Sequence, residues 1–151
     1  MRSLDNIIVE NARIACRNFD GNRYKRGGER SFWLVIEDAD TANHLQSLGW
    51  NVRIKPPREE GDQPFMYIPV AISYRYEKFA PKIYKVTARG KESIYEEDVS
   101  DIDNWELRDI FIEVRPRFWT DDDGNEKVKA YLKTMYVTIE EDPFAYRFQD
   151  N

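Results

Sequence analysis

Apolar and polar residues alternate along much of the chain, the spacing that places every second side chain on the same face of a β-strand. The alternation is clearest in residues 108–119, where Ile110, Ile112 and Val114 share one parity. Turn-forming residues separate the alternating segments, as they do at strand ends. The pattern predicts strands over residues 6–16, 30–37, 51–55, 66–76, 82–89, 108–119 and 127–141.

Two segments between these strands lack the alternation and predict short helices. Residues 38–49 contain Asp38 and Asp40, either of which is a suitable N-cap, and they end at Gly49. Aspartate is a preferred N-cap residue, and glycine commonly follows the last turn of a helix. Residues 93–107 predict a second short helix.

Two features of the predicted strands indicate how they pair. An Asp-Gly pair within residues 121–126 predicts a tight turn, so the strands over 108–119 and 127–141 form a hairpin. Pro69 lies inside the strand over 66–76. Because proline cannot donate a hydrogen bond to a neighbouring strand, it indicates a sheet edge or a bulge there.

The order of these elements predicts the fold class. No strand–helix alternation runs through the chain, which argues against a parallel sheet covered by helices. About seven strands joined mostly by short turns favour a mainly β fold, a small and mostly antiparallel barrel or sandwich. Because there is no internal repeat or interdomain linker, we expect one domain over residues 1–142 and a short acidic C-terminal tail over 143–151.

The composition narrows the class of protein further. The chain has 151 residues, enough for one domain with its own core, and 34% of them are charged. No apolar run approaches the ~20 residues that span a bilayer, and the N-terminus lacks the apolar block of a signal peptide. One cysteine cannot form an internal disulfide and fits a reducing compartment. We therefore expect a cytoplasmic protein without membrane contacts.

The sequence offers no signature of catalysis. One histidine and one cysteine cannot build a His/Cys zinc site, and His44 is interpreted as a surface or half-buried residue of the first helix. The common phosphate-loop, dinucleotide, zinc-protease and serine-hydrolase motifs are absent. We therefore predict no enzyme, no cofactor and no metal. A carboxylate metal site for nuclease chemistry stays open, because acids are plentiful although no spacing singles out a pair.

Charge is segregated along this acidic chain, whose formal net charge is −5. Residues 17–36 hold five basic and two acidic side chains, and residues 74–91 hold six basic and one acidic. Residues 92–109 hold eight acids and one arginine, and the C-terminal 138–151 hold four acids and one arginine. Such blocks predict oppositely charged surfaces, although solvation of an ordinary protein surface explains most charged segments.

The basic segments are also rich in aromatic residues, a combination typical of surfaces that bind unpaired nucleic acid. On the strand over 108–119, Arg115, Arg117 and Trp119 share the parity opposite to the apolar one, which places them on the outer face. Cations neutralise phosphates, and flat rings stack on unpaired bases whatever their sequence. A ring in a basic segment can equally belong to the core. Phe32 shares its parity with Leu34 and Ile36, which predicts a core position, and Trp33 can also be buried.

These patterns select the candidate nucleic-acid-binding residues. Residues 17–30 would form a flexible, glycine-containing phosphate clamp, and the other cations would line a groove with rings as stacking platforms. The cations are Arg17, Arg23, Lys25, Arg26, Arg30, Lys78, Lys82, Lys85, Arg89, Arg115 and Arg117. The rings are Tyr24, Tyr76, Phe79, Tyr84 and Trp119.

Three segments are distinctive as a set: "NIIVENARIACRNFDG" (6–21), "LGWNVRIKPPREEGDQP" (48–64) and "VKAYLKTMYVTIEEDPF" (128–144). Together they resemble a family of small single-stranded DNA-binding proteins encoded by phages and prophages. The resemblance implies an OB-like antiparallel Greek-key barrel, here with an extra hairpin or strands and one or two short helices. It also implies a protein that coats single-stranded DNA in phage replication or recombination, in the host cytoplasm.

The predicted partners are single-stranded DNA and, through the acidic C-terminus, replication or recombination proteins. A second copy of the chain is also expected, as a dimer, although the sequence does not fix the oligomeric state. The alternative function is a phage interaction protein that binds no nucleic acid. It would be a virion component or an inhibitor of a host enzyme, with the acidic segment 92–109 imitating nucleic acid.

Overall fold

The computed structural model describes residues 3–21 and 29–139. Within them, nine strands are β1 (Ile7–Val9), β2 (Ile14–Asn18), β3 (Arg30–Ile36), β4 (Arg53–Lys55), β5 (Phe65–Ile72), β6 (Lys82–Thr87), β7 (Gly90–Ile94), β8 (Leu107–Thr120) and β9 (Glu126–Ile139). The helical segments are α1 (Ala39–Leu48) and two 3₁₀ helices, Glu77–Phe79 and Glu96–Asn104. None of these helices is long and apolar enough to cross a membrane.

The first predicted strand, 6–16, is two strands, and its bend closes the sheet. Asn11 has a φ of 52°, a left-handed conformation that asparagine tolerates better than most residues and that interrupts an extended strand. The sheet runs in the order β1-β8-β9-β5-β3-β2. Because β1 and β2 at its two ends belong to one bent stretch of chain, this stretch joins the ends and closes the sheet into a barrel.

The pairing of the strands confirms a mainly β, OB-like fold. Strands β2, β3 and β5 form an antiparallel meander, β8 and β9 form an antiparallel hairpin, and β9 runs parallel to β5. With β1 completing the first strand, these elements make the five-stranded Greek-key barrel of that class. The predicted extra hairpin is β6–β7, whose strand β6 pairs in parallel with the second half of β9.

Several predicted boundaries are corrected by the structure. The predicted strand 66–76 ends at Ile72, so Tyr74 and Tyr76 follow it outside the sheet. Within the helix predicted over 93–107, only Glu96–Asn104 are helical, as a 3₁₀ helix. The segment begins inside β7, a strand that the alternation did not predict. In β7 the first four residues are exposed and only Ile94 is buried, so the strand carries almost no apolar signal.

Pro69 lies at a change of neighbour along β5. Strand β3 pairs with β5 over its whole length on one side. On the other side β4 pairs with Phe65–Tyr67 and β9 pairs with Val70 and Ala71. Proline therefore occupies the gap between two partners, where no neighbouring carbonyl requires a donor.

The helix predicted over 38–49 is confirmed together with both of its caps. The Asp38 side chain accepts hydrogen bonds from the Thr41 backbone N–H at 2.7 Å and the Thr41 hydroxyl at 2.8 Å. These hydrogen bonds lower the pKa of Asp38. Gly49 ends the helix with a φ of 106°. His44 is an exposed residue of this helix, as expected.

The core fills the barrel from one face of each strand. Phe32 packs inside with Leu34 and Ile36, as their shared parity predicts, and its ring stacks on Phe19 at 5.5 Å. On β8, Ile112 and Val114 have no exposed surface. Because side chains alternate along a strand, the odd-numbered residues of β8 point out of the barrel.

Candidate nucleic-acid interface

The outer face of the β8–β9 hairpin carries the arginines that the sequence predicted. Arg115, Arg117 and Trp119 follow one another on the outer side of β8, and 49% of the Trp119 surface is exposed. Facing residues of an antiparallel pair share one side of the sheet. Opposite these three residues on β9 lie Tyr131, Lys129 and Lys127. The hairpin therefore presents rows of cations and rings side by side.

Arg115 is held between two aromatic rings. Its guanidinium carbon lies 4.7 Å from the centre of the Phe79 ring and 5.2 Å from that of Tyr131. Its Nε is buried and has no hydrogen-bond partner in the described residues. Burial lowers the pKa of Arg115, the charge of Arg117 adds to this, and Tyr131 opposes it. The result is a cation held between two rings, and a guanidinium forms strong charge-assisted hydrogen bonds with anions such as phosphate.

The first 3₁₀ helix supplies the rim of this site. It places Phe79 over Arg115, and Tyr76 directly precedes its first residue. These two rings are 48% and 51% exposed, unusually open for large apolar side chains. A groove of about 330 Å³ separates the rim from the hairpin. This arginine groove is lined by Ser73, Tyr76, Phe79, Arg115, Arg117 and Tyr131.

A second, larger groove of about 680 Å³ adjoins the hairpin where β9 meets β5. Ala71 of β5 lies beside Tyr131 of β9, so the two grooves share one outer surface. This tryptophan groove is lined, among others, by Trp119, Lys127, Lys129, Arg53, Ser31, Pro69 and Ala71. It lies on β3 and β5, next to the turn of the β8–β9 hairpin, the face and loop region that OB folds use to bind single strands.

A stack of rings continues this surface across β3, β5 and β4. The Trp33 ring stacks on Tyr67 at 3.9 Å, and the Lys55 ammonium lies 4.5 Å from the centre of the Trp33 ring. Phe65 packs against Tyr67 at 5.6 Å. Trp33 is thus half-buried on the outer face, and only its neighbours Phe32 and Leu34 belong to the core.

Glu29 and Lys129 form an ion pair where the grooves meet. The Lys129 ammonium lies 2.8 Å from Oε1 of Glu29. Glu29 also lines a third groove that contains Arg117 and Tyr131, residues of the arginine groove. Burial alone would lower the pKa of Lys129, but the hydrogen bond and charge of Glu29, together with Tyr131, outweigh it and raise that pKa.

Two predicted cations are used by the fold. Arg17 donates hydrogen bonds to the carbonyl oxygens of Ile102 at 2.8 Å and Trp105 at 2.7 Å, which fixes the end of the second 3₁₀ helix on β2. Arg30 donates to the carbonyl of Phe19 at 2.9 Å and also contacts Glu96 at 3.5 Å. Their hydrogen bonds help to hold the barrel together, and their role in binding DNA stays a prediction. Arg30 also lines a groove that contains Arg117 and Tyr131.

The remaining predicted cations and rings lie elsewhere or outside the described residues. Arg23, Tyr24, Lys25 and Arg26 fall within 22–28, which the structure does not describe, so the predicted clamp stays a prediction. Lys78 lies beside Phe79, its ammonium 5.7 Å from the ring centre. The last four predicted residues belong to the β6–β7 hairpin and line neither groove. They are Lys82, Tyr84, Lys85 and Arg89.

Tyr84 and Lys85 already have partners on this second hairpin. The Tyr84 ring stacks on Tyr136 at 4.9 Å, and the Lys91 ammonium lies 4.6 Å from the centre of the Tyr84 ring. Lys85 lies 5.1 Å from the ring centre of Trp105. Tyr84 is half-buried, whereas Tyr76 and Phe79 are exposed, so the arginine groove offers the more open ring surface for stacking.

The acidic segment 92–109 packs against the start of the barrel. The Asp103 carboxylate accepts hydrogen bonds from the backbone N–H groups of Phe19 at 2.8 Å and Asp20 at 3.0 Å. Asp98 and Asp101 remain exposed. Over residues 3–21 and 29–139, no three His, Cys, Asp or Glu side chains are grouped closely enough to hold a metal ion.

Sequence reasoning missed Lys127, Lys129 and Tyr131, although a signal for them was present. The turn around Gly124 sets the hairpin register, with the Asp121 N–H bonded to the Asn125 carbonyl at 2.9 Å. Counting outward from that turn places Tyr131 opposite Arg115 and Lys129 opposite Arg117. The parity of β8 combined with this register would have found all three.

Comparison with known proteins gives both a family and a fold. A family model described as "Putative phage ssDNA-binding domain" matches residues 1–151. No curated protein sequence matches the chain. The single-stranded DNA-binding protein from bacteriophage Enc34 is similar in structure, with a TM-score of 0.55 and 13% identity over 92% of this chain and 83% of that one.

Two further structures of the bacteriophage Enc34 protein agree with this comparison. Its C-terminal truncation has a TM-score of 0.54 and 15% identity, covering 92% of this chain and 88% of that one. Its complex with ssDNA has a TM-score of 0.55 and 14% identity, covering 92% and 89%. At such identities the likeness establishes the fold. The family match over the whole length shows that this chain belongs to the phage ssDNA-binding domain family.

Proposed function

We propose that this chain binds single-stranded DNA without regard to sequence and coats it during phage replication or recombination. The observation that carries the proposal is the outer face of the β8–β9 hairpin, where Arg115 and Arg117 lie beside Tyr131 and Phe79. Family membership supports single-stranded DNA as the ligand. The existence of an ssDNA complex of the bacteriophage Enc34 protein supports it further.

The two kinds of side chain have separate tasks in this mechanism. Arg115, Arg117 and Lys127 neutralise phosphates, which supplies affinity that falls as salt rises. Tyr76 and Phe79 expose ring faces on which unpaired bases stack, at about 1–3 kcal/mol per base for any base. Duplex DNA hides its base faces inside the stack, so the rings favour single strands over duplexes.

The acidic character of the chain does not prevent this binding. The formal net charge is −5, yet the potential that a strand meets is set by the charges lining the groove. Two arginines and no acid line the arginine groove. In the second 3₁₀ helix, Asp103 accepts hydrogen bonds from two backbone N–H groups of the barrel, and Glu96 pairs with Arg30 at the third groove.

The proposal extends to what the protein does not do and where it acts. We infer that it binds without catalysis, so incubation with single-stranded DNA and Mg²⁺ should yield no cleaved product. We also propose that it acts in the host cytoplasm and self-associates as a dimer. The acidic tail 143–151, outside the described residues, would contact replication or recombination proteins.

Fluorescence anisotropy tests the proposed function. A labelled poly-dT strand of about 30 nucleotides, long enough for the site sizes of OB folds, is compared with the matching duplex over a salt series. We expect tight binding to the single strand, weak binding to the duplex, and a log–log salt slope of about −0.7 per phosphate contacted. Absence of binding at low salt, or equal binding to the duplex, would contradict the proposal. The acidic segment 92–109 and a protein partner would then become the better explanation.

A further inference from the structure

The Glu29–Lys129 ion pair lies on the path that a bound strand would follow. Both residues line the tryptophan groove. Glu29 also lines the third groove, which it shares with Arg117 and Tyr131 of the arginine groove. A strand that passes from one groove to the other by way of the third groove would therefore cross this pair.

The pair has the geometry of a cation already bound to an anion. The Lys129 ammonium lies 2.8 Å from Oε1 of Glu29 and 3.1 Å from Oε2, and it is 5.2 Å from the centre of the Tyr131 ring. On the hairpin face, Arg115 and Arg117 have no acidic partner among the residues that the structure describes, whereas Lys129 has one. Lys127 also lies 4.0 Å from Oδ2 of Asp121 at the hairpin turn, but Lys129 makes the closest contact with an acid among the cations of this face.

The pair is also easy to open. The side chains of Lys129 and Glu29 are 42% and 51% exposed, and ion pairs this open contribute little to stability. The backbone of Glu29 is held in place, because its carbonyl accepts a hydrogen bond from Nδ2 of the buried Asn18 at 3.3 Å. Opening the pair therefore requires movement of the side chains alone.

We propose that Glu29 occupies the place of a backbone phosphate in the free protein, and that strand binding transfers Lys129 from the Glu29 carboxylate to the DNA. A carboxylate and a phosphate both accept charge-assisted hydrogen bonds from an ammonium group, so either can fill the same position. The inference rests on the proposed function. Its consequence is that Glu29 competes with DNA, which weakens binding and makes it easier to reverse.

Charge-neutral variants test the exchange by anisotropy with the poly-dT strand. Glu29→Gln removes the internal competitor and should tighten binding about two- to fivefold, the range for an exposed ion pair. Lys129→Gln should weaken binding and reduce the salt slope by about 0.7, the value for one phosphate on a single strand. In the double variant the gain from Glu29→Gln should disappear, because Glu29 acts through Lys129.

A matched control is the exposed pair formed by Glu37 and Arg13, whose charged atoms lie 3.4 Å apart. Glu37→Gln makes the same change of charge away from the grooves and should leave affinity unchanged. Urea unfolding of each variant separates effects on binding from effects on stability.

Each remaining outcome overturns the exchange. Weaker or unchanged binding by Glu29→Gln would mean that the pair stays closed in the complex. A gain that persists in the Lys129→Gln background would mean that Glu29 only repels DNA through its field. Both results leave the proposed function standing, whereas failure of the wild-type protein to bind the strand removes the proposed function itself.

Discussion

Phe79 offers the sharpest test of base stacking at the arginine groove. Its ring is 48% exposed and one contact is with the Arg115 guanidinium, 4.7 Å from the ring centre. Replacing Phe79 with alanine removes a stacking platform without changing any charge. We therefore expect Phe79→Ala to weaken binding to poly-dT while the salt slope stays the same.

The size of the effect follows from the exposure of the ring. Loss of one stacked base costs about 1–3 kcal/mol, which corresponds to a five- to 150-fold rise in Kd. Full burial of a phenylalanine contributes about 2 kcal/mol to folding, so removal of this half-buried ring costs the fold about 1 kcal/mol. Binding should therefore suffer more than stability does.

Anisotropy titrations of three variants separate stacking from packing. Phe79→Leu keeps an apolar side chain against Arg115 but has no aromatic face, so it should lose nearly as much affinity as Phe79→Ala. Tyr95→Ala is the matched control, because the Tyr95 ring is 64% exposed and lies outside both grooves. If Phe79→Ala binds as tightly as Tyr95→Ala, no base stacks at this position and the reasoning fails.

Three further predictions concern charge, core and titration. Arg117→Gln should reduce the salt slope by about 0.7. Arg13→Gln, on an exposed surface away from the grooves, should leave the slope unchanged. Equal slopes for the two variants would contradict a phosphate contact at Arg117. Ile112→Ala, at a position with no exposed surface, should cost about 2–5 kcal/mol in urea unfolding, and a loss below 1 kcal/mol would show that β8 is not a core strand. Burial raises the pKa of Tyr74 from 10.0 to about 12. The positive charge of Arg30 opposes this rise, and the negative charges of Glu96 and Glu97 add to it. The folded state therefore keeps the Tyr74 proton to a higher pH than the unfolded state does, so the free energy of unfolding should fall from pH 10 towards 12. The Tyr74→Phe variant should lack that part of the fall.

The β8–β9 hairpin was predictable because its information is local. Alternation separated Ile112 and Val114 from Arg115 and Arg117, and the Asp-Gly turn indicated the hairpin that places Tyr131 opposite Arg115. Side chains alternate along a strand whatever surrounds it, so parity alone identified the outer face. The same reasoning found the caps of α1, which depend on residues within one turn of the helix.

Other features depend on contacts between distant parts of the chain. Arg17 is bound to carbonyls of Ile102 and Trp105, and Glu29 is paired with Lys129 across 100 positions. Charge and hydropathy of a segment do not reveal which cations such contacts will occupy. Local composition therefore predicted neither the carbonyl contacts of Arg17 nor the position of Lys129 beside the tryptophan groove.

The bend at Asn11 and the polar strand β7 were missed for a different reason. Both depart from the alternation on which strand prediction relies: Asn11 by its φ of 52°, and β7 by exposing four of its five residues. Neighbouring strands stabilise these segments, since the Ala12 N–H donates to the Ile110 carbonyl at 2.8 Å and β7 pairs with β6. Tertiary pairing here replaces local sequence preference.

Photo-cross-linking with 5-bromouracil tests most directly whether a single strand lies on the β8–β9 face. A poly-dT strand carrying this base is irradiated with the protein, and the attached residues are identified by mass spectrometry. We expect cross-links at Tyr76, Phe79, Tyr131 and Trp119, and their loss at high salt. Cross-links confined to Tyr95, to the acidic segment 92–109 or to the β6–β7 hairpin would contradict it.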